Sequence, residues 1–385
     1  MFSDIYQTLD SDVRKALGTA LFPSPRKVDQ ILQRSENRQL DLVEIAELLK
    51  IGDYPENPHI VDSLRGFLYS KYRKSSQNTL RYIAPIYLSS FCVDRCGYCQ
   101  FSANRHKTVR SRLTLQELET ELRKGILPDG IRVVEFTLAT DPYFTPDLLS
   151  EYIAFAKGVL NSNQDSGVLI CSDYFSTEEY IRLKEAGLWG MVQWDETLDK
   201  ACYDKWHRGS PRKSDMTRRI DSHDRALAVG LNVATGFLFG LADYRYDVMM
   251  QIAKARYLGE TYGKKPYFFG TARVKPVGGR ELQTGFRLYD FQYEVALMVY
   301  KIAEPLISRW LQTRETPELN LRHVLDGDIY TYRCGEVKPG GYVANAAALK
   351  AKNSGQFAVH EQTRQTFESE IARLGFSVDY AWIRS

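Results

Sequence analysis

Two hydrophobic textures divide the chain. From residue 1 to about residue 75, apolar positions such as Ile31, Leu32, Leu40, Leu42, Ile45, Leu48 and Leu49 recur at roughly helical spacing, and no strand-like run interrupts them. This predicts a helical N-terminal extension over 1–75. From about residue 80, short apolar runs alternate with longer amphipathic stretches, the pattern of βα units that build a parallel sheet. The predicted strands are 83–89, 133–138, 167–171, 190–194, 232–238, 267–273, 310–313 and 328–332, with helices between most of them, among them 114–124, 148–160, 177–186 and 289–302. Eight such strands make a (β/α)8 TIM-type barrel over 76–345 the economical α/β topology. After about residue 345 the chain turns polar and then ends in Leu374-Gly375-Phe376-Ser377-Val378, which predicts a small C-terminal appendage over 346–385. In barrels of this kind chemistry sits at the carboxyl ends of the strands, so the residues just after each apolar run are the ones that matter.

Composition changes this picture little. The 385 residues carry 51 Lys and Arg against 48 Asp and Glu, a net charge of +3, which gives no general reason to expect nucleic acid. The basic stretch from Asn104 to Arg112 has no interleaved aromatics and reads as a solvated loop. No apolar run reaches the roughly eighteen residues a membrane span needs. The start, Met1-Phe2-Ser3-Asp4-Ile5, lacks a secretory pattern, so the expected compartment is the cytoplasm, without nucleic-acid or membrane partners.

The chemistry is concentrated in Cys92-Val93-Asp94-Arg95-Cys96-Gly97-Tyr98-Cys99, a C-x3-C-x2-C spacing directly after the first predicted strand. With six cysteines in the chain and three of them packed here, a metal site in a reducing compartment fits better than a disulfide framework. Three thiolates can ligate three irons of a cubane and leave the fourth open, which a cluster needs if it is to bind a substrate rather than only carry an electron. Zinc is the competing metal, with His106 as a conceivable fourth ligand. A non-catalytic iron–sulfur or zinc-binding protein therefore stands as the alternative of another class. Cys171, Cys202 and Cys334 form no second cluster motif, and His207, His223 and His323 read as structural, with a catalytic role open only to His207.

Further stretches extend the pattern: Pro85 to Cys92, Asp195-Glu196-Thr197 followed by Tyr203 and His207, Arg219 to Arg225, Gly236 to Leu241, Arg273 to Pro276, Thr313 to Pro317 and Pro339 to Tyr342. Together with the cysteines, in this order, they resemble the radical S-adenosylmethionine (SAM) superfamily and its aromatic amino-acid lyase branch. Within that branch they are most similar to the 2-iminoacetate synthases, the tyrosine lyases of thiamine biosynthesis.

The resemblance implies a radical SAM barrel with a [4Fe-4S] cluster on Cys92, Cys96 and Cys99, and SAM cleaved to a 5′-deoxyadenosyl radical. It implies lysis of the Cα–Cβ bond of tyrosine to 2-iminoacetate (dehydroglycine) and p-cresol, the alternative being tryptophan, another amino acid or a small metabolite. Glu196 and Arg219 stand where the family contacts SAM, although Glu196 could be a solvated helix-start carboxylate and Arg219 a surface charge beside Arg218. Tyr98 resembles the aromatic that packs near the adenine, and Gly236 could let backbone approach the cofactor. Arg314 is the expected cation for a substrate carboxylate, with an ion pair to Glu315 as the bland reading, and Tyr87 the expected substrate contact. A reductase or flavodoxin-type electron donor and a thiazole-forming protein are the implied partners beside the amino-acid substrate. Two departures stand out. The Thr-Gly-Glu of close relatives reads Ala139-Thr140-Asp141, which keeps a shorter carboxylate and leaves Asp141 as an expected cofactor contact, and a small-residue stretch near the last strand becomes Tyr330-Thr331-Tyr332-Arg333-Cys334-Gly335, predicting larger side chains beside the pocket.

Overall fold

The strand Asn78–Ser89 (β1) is the seam on which the fold closes. In the computed structural model, which describes residues 1–73, 77–160, 165–277, 281–333, 337–347, 354–360 and 362–383, β1 is followed by Val133–Leu138 (β2), Gly167–Cys171 (β3), Leu188–Glu196 (β4), Asn232–Phe239 (β5), Phe268–Arg273 (β6), Ser308–Leu311 (β7) and Ile329–Thr331 (β8). Every neighbouring pair is parallel, and β1 pairs with β8 through Arg81 to Ile83 and with β2 through Ala84 to Ser89, which shuts the barrel. The predicted strands are all present, displaced at their ends by a few residues. Cys334 and Gly335 lie outside the described residues.

Capping chemistry sets several helix starts. Thr114 and Glu117 form a reciprocal capping box at the helix Leu115–Thr120, as do Ser176 and Glu179 at Thr177–Glu185. The N-terminal extension folds into the helices Phe2–Thr19, Pro25–Ser35, Leu42–Lys50 and Pro58–Tyr72. They pack against the barrel helices Tyr244–Tyr262 and Asp290–Ala303. That cover explains why Tyr244–Tyr262 buries Val248, Met249, Ile252, Ala253, Ala255 and Leu258 rather than one narrow stripe.

The C-terminal appendage is joined to the barrel. Helix Arg364–Arg373 leads into Phe376–Asp379 (β9), which pairs with the amino-terminal end of β1. The chain then turns under the barrel, where Trp382 and Ile383 join Ile83, Val133, Leu169, Val192, Ala234, Phe268, Trp310 and Ile329 in a closed apolar floor. The Trp382 indole N–H donates to the Tyr82 carbonyl at 2.7 Å, so its one polar atom is satisfied. With the floor sealed, the opposite end is the only way into the barrel interior that the described residues leave open.

One expectation is corrected here. The large side chains of the last strand do not narrow the pocket, because strand residues alternate sides and Thr331 takes the inward place. Tyr330 stacks on Phe367, with ring centroids 4.1 Å apart, and Tyr332 faces Tyr82 and Tyr342, all outside the barrel.

Candidate active site

At the carboxyl end of the strands lies a cavity of about 1210 Å³, its open mouth included, lined by Cys92, Cys96 and Cys99 together with Tyr87, Tyr98, Glu196, Arg219 and Arg314. The three thiols are free and face the same space. Burial pushes Cys92 and Cys96 up to about 11 and raises Cys99 as well, so loading a metal here must displace protons. Among the described residues no three His, Cys, Asp or Glu side chains converge on a point that could hold a single metal ion. A cubane takes each thiolate on a different iron, so it does not need the three sulfurs to meet at one point.

The cysteine loop is stapled from several sides. Asp94 accepts the backbone N–H groups of Arg212 and Lys213 at 3.0 and 3.1 Å, tying the loop to the segment after β4. Arg110 donates to the carbonyls of Phe101 and Ser102 at 2.7 and 2.8 Å and to that of Ser90, and Arg105 donates to the Gly97 carbonyl at 3.1 Å. The basic stretch read as a solvated loop is therefore largely internal wiring. Arg105 and Arg110 hold the backbone of the cysteine loop in shape.

Glu196 is brought inward by a bulge in β4 between Trp194 and Glu196, and its φ of 67° is a conformation that non-glycine residues rarely hold. Such strain at a lining residue is a marker of function. The neighbouring Asp195 points away and makes a fully buried ion pair with Lys254 at 2.8 Å. The Glu196 carboxylate meets Lys213 at 2.7 Å and Arg219 at 3.9 Å, and Arg219 in turn meets Asp173 at 3.3 Å. Burial alone would raise the Glu196 carboxyl, but Lys213 and Arg219 outweigh it and hold it below the ordinary value. Arg219 is almost fully buried and also donates to the Trp194 carbonyl, so it is no surface charge. Arg218 instead lies over Tyr174 outside the cavity.

Tyr98 lines the cavity and pairs with His207 at 2.8 Å. His207 Nδ1 faces the Tyr203 carbonyl at 2.8 Å and must donate there, which leaves Nε2 to accept the Tyr98 hydroxyl proton. Burial, with Lys213 adding to it, drives His207 down to about 3, so it stays neutral and serves to position Tyr98.

Arg314 has no carboxylate partner among the described residues. Glu315 is taken by Arg273 and Lys275, which removes the bland reading of an Arg314–Glu315 pair. The Arg314 guanidinium rests 3.5 Å from the Phe357 ring centroid, and its buried Nε has no partner. Tyr87 donates to Gln356 Oε1 at 2.8 Å. Gln356 and Phe357 reach the cavity from the segment 354–360, which crosses the mouth with the His360 N–H on the Thr313 carbonyl at 3.0 Å.

Two expected residues do not reach the cavity wall. Asp141 is held by Ser89 at 2.6 Å and by two bonds from Arg112 at 2.7 and 3.0 Å, while its neighbours Ala139 and Thr140 line the space. A Cβ at Gly236 would stand 2.4 Å from the Trp194 indole, so the glycine makes room for that ring, which itself lines the cavity. Lys213, Asp173, Glu135 and Gln356 were missed in the sequence. Asp173 follows a strand and Glu135 interrupts an apolar one, so both left a signal, whereas Lys213 and Gln356 sit in loops without periodicity.

A closed parallel barrel whose first strand runs into three cysteines facing its mouth defines a radical SAM enzyme, a class whose cofactors are a [4Fe-4S] cluster and SAM. No family model matches the chain. The chain is a relative of 2-iminoacetate synthase from Escherichia coli K12, 26% identical over 295 residues that cover 76% of this chain and 74% of that one. It is also 23% identical to 3-methylornithine synthase from Methanosarcina acetivorans over 153 residues, 39% of this chain and 42% of that one. In three dimensions it shares the fold of the FeFe-hydrogenase maturase HydG from Carboxydothermus hydrogenoformans, with a TM-score of 0.82 and 22% identity over 99% of this chain and 85% of that one.

Proposed function

We propose that this chain is a radical SAM lyase that cleaves the Cα–Cβ bond of tyrosine to give 2-iminoacetate and p-cresol. The observation that carries the reading is Arg314, a part-buried cation that has no carboxylate partner among the described residues and shares one cavity with the three thiols. When bound, the cluster and SAM supply a one-electron cleavage that yields a hydrogen-abstracting deoxyadenosyl radical.

The donor set fits these groups. Cys92, Cys96 and Cys99 offer soft thiolates for three irons, and the alternating charges of Glu196, Lys213 and Arg219 suit the ammonium and carboxylate of methionine. Tyr98, fixed by His207, offers a flat ring for the adenine. Arg314 grips the substrate carboxylate at two points, Tyr87 flanks it, and the segment 354–360 keeps water from the radical. A reductase or flavodoxin-type donor of electrons and a thiazole-forming acceptor of 2-iminoacetate complete this reading.

Anaerobic reaction of the reconstituted protein with SAM, a reductant and tyrosine is expected to yield p-cresol. 5′-Deoxyadenosine without p-cresol would remove tyrosine and leave the radical chemistry standing. The partial match to 3-methylornithine synthase favours a second reading, the same chemistry on another amino acid. A screen of amino acids for substrate-stimulated SAM cleavage separates the two.

A further inference from the structure

The interior above the floor is layered. Along β2 the inward residues are Val133 in the floor, then Glu135, then Thr137 beside Tyr87 of β1. Glu135 is 1% exposed, lines the cavity and pairs in register with Pro85 of β1. One carboxylate oxygen accepts the Thr137 hydroxyl at 3.0 Å, the Cys171 thiol lies beside the carboxyl group, and among the described residues Oε2 is left without a well-formed hydrogen bond. Among the described residues no cation pairs with it. A buried carboxyl oxygen left open at the base of a reaction cavity is costly unless a ligand completes it.

What lies around Glu135 defines that ligand. Trp194 and Trp310 line the same cavity with ring centroids 6.0 Å apart, and Gly236 and Gly270 clear the space in which the Trp194 indole lies. Tyr87, Arg314 and Glu135 all line the same cavity, so the cation and the acid belong to one continuous space. A carboxylate-binding cation near the mouth, aromatic walls and a hydrogen-bond acceptor at depth describe an aromatic amino acid with a donor on its ring.

Building on the lyase reading above, we infer that Glu135 is the specificity-determining residue of this site and receives the ring hydroxyl of the substrate through its open carboxylate oxygen. Burial raises the Glu135 carboxyl to about 7, in keeping with a group that shares a proton with a neutral phenol rather than one held ionised by a resident cation. A site built around such a bond discriminates strongly against the analogue lacking the hydroxyl, because the acceptor is then buried unpaired.

The test compares tyrosine with phenylalanine on the anaerobically reconstituted, SAM-loaded protein, read both as equilibrium binding and as substrate-stimulated 5′-deoxyadenosine formation. Wild type is expected to favour tyrosine by about a hundredfold or more. Glu135→Leu should collapse that preference to within about threefold, chiefly by losing tyrosine, while Glu135→Gln, which keeps a hydrogen-bonding group of the same shape, should retain part of it. Thermal unfolding of both variants separates a lost contact from a damaged fold. A preference that persists in Glu135→Leu, or wild-type protein that binds the two amino acids alike, would overturn the inference. If wild type still makes p-cresol in either case, the lyase reading survives it. If wild type binds no tyrosine at all, both fall together.

Discussion

At the floor of the barrel, side chains from all eight barrel strands meet Trp382 and Ile383 from the far end of the chain, and the indole N–H groups of Trp382 and Trp310 find a carbonyl and a hydroxyl. At the mouth stand Glu196 in a left-handed conformation, ion pairs that run through Lys213, Arg219 and Asp173, and buried atoms of Arg314 and Glu135 left without a hydrogen bond among the described residues. The difference between the two ends teaches where this sequence serves folding and where it serves chemistry. A floor needs only volume and apolar surface, so every group in it is satisfied. A reaction site must hold charges ready for molecules that come and go, so local strain and open hydrogen-bonding groups gather there.

The contrast can be broken from either end. Trp382→Ala empties one of the two indole rings from the floor and should lower stability by about 3–5 kcal/mol, measured by denaturant unfolding, while leaving the affinity for SAM unchanged. Arg314→Met should do the reverse. It keeps the fold, relieves a buried unpaired group and costs about a hundredfold or more in kcat/KM for the amino acid, with SAM binding retained.

Lys213→Met probes the charges held at the mouth. In the wild type Glu196 has a depressed value, so its contribution to stability is present above the ordinary carboxylate range and is lost as pH falls through the lowered value. Without Lys213, burial dominates and the carboxyl rises, so the destabilisation should be small in acid and grow towards neutral pH, as thermal unfolding across pH 3 to 8, on the order of a few degrees, would read. SAM affinity should fall in the same variant. The smallest effect is expected from Asp141→Asn. Its carboxylate is already engaged by Arg112 and Ser89, so the apparent affinity for SAM should change by less than about threefold, with only a modest loss of stability.

The barrel was legible because strand runs and amphipathic helices alternate, and because Thr114 and Ser176 mark helix starts with carboxylates three positions on. The cysteines were legible from their spacing, and Arg314 from its place after the seventh strand in a stretch that resembles the family's. What could not be read is which side of a local chain each residue faces. Asp195 and Glu196 are neighbours of the same charge, yet a bulge sends one to Lys254 and the other into the cavity. Asp141 lies beside two lining residues and still points to Arg112. The contributions of Lys213 and Gln356 come from loops whose paths depend on distant contacts, such as Asp94 holding the backbone of Lys213 across more than a hundred residues of sequence.

The central claim is a cubane held by three thiolates at the mouth, with one iron free for SAM. Anaerobic reconstitution followed by iron and sulfide analysis and by electron paramagnetic resonance of the reduced protein, with and without SAM, tests it most directly. The account predicts about four irons and four sulfides per chain, a spectrum that changes when SAM is added, and loss of both when Cys92, Cys96 and Cys99 are replaced by alanine in a protein that still unfolds cooperatively. Wild-type protein that takes up no iron and sulfide, or a cluster that survives in the triple variant, would contradict it.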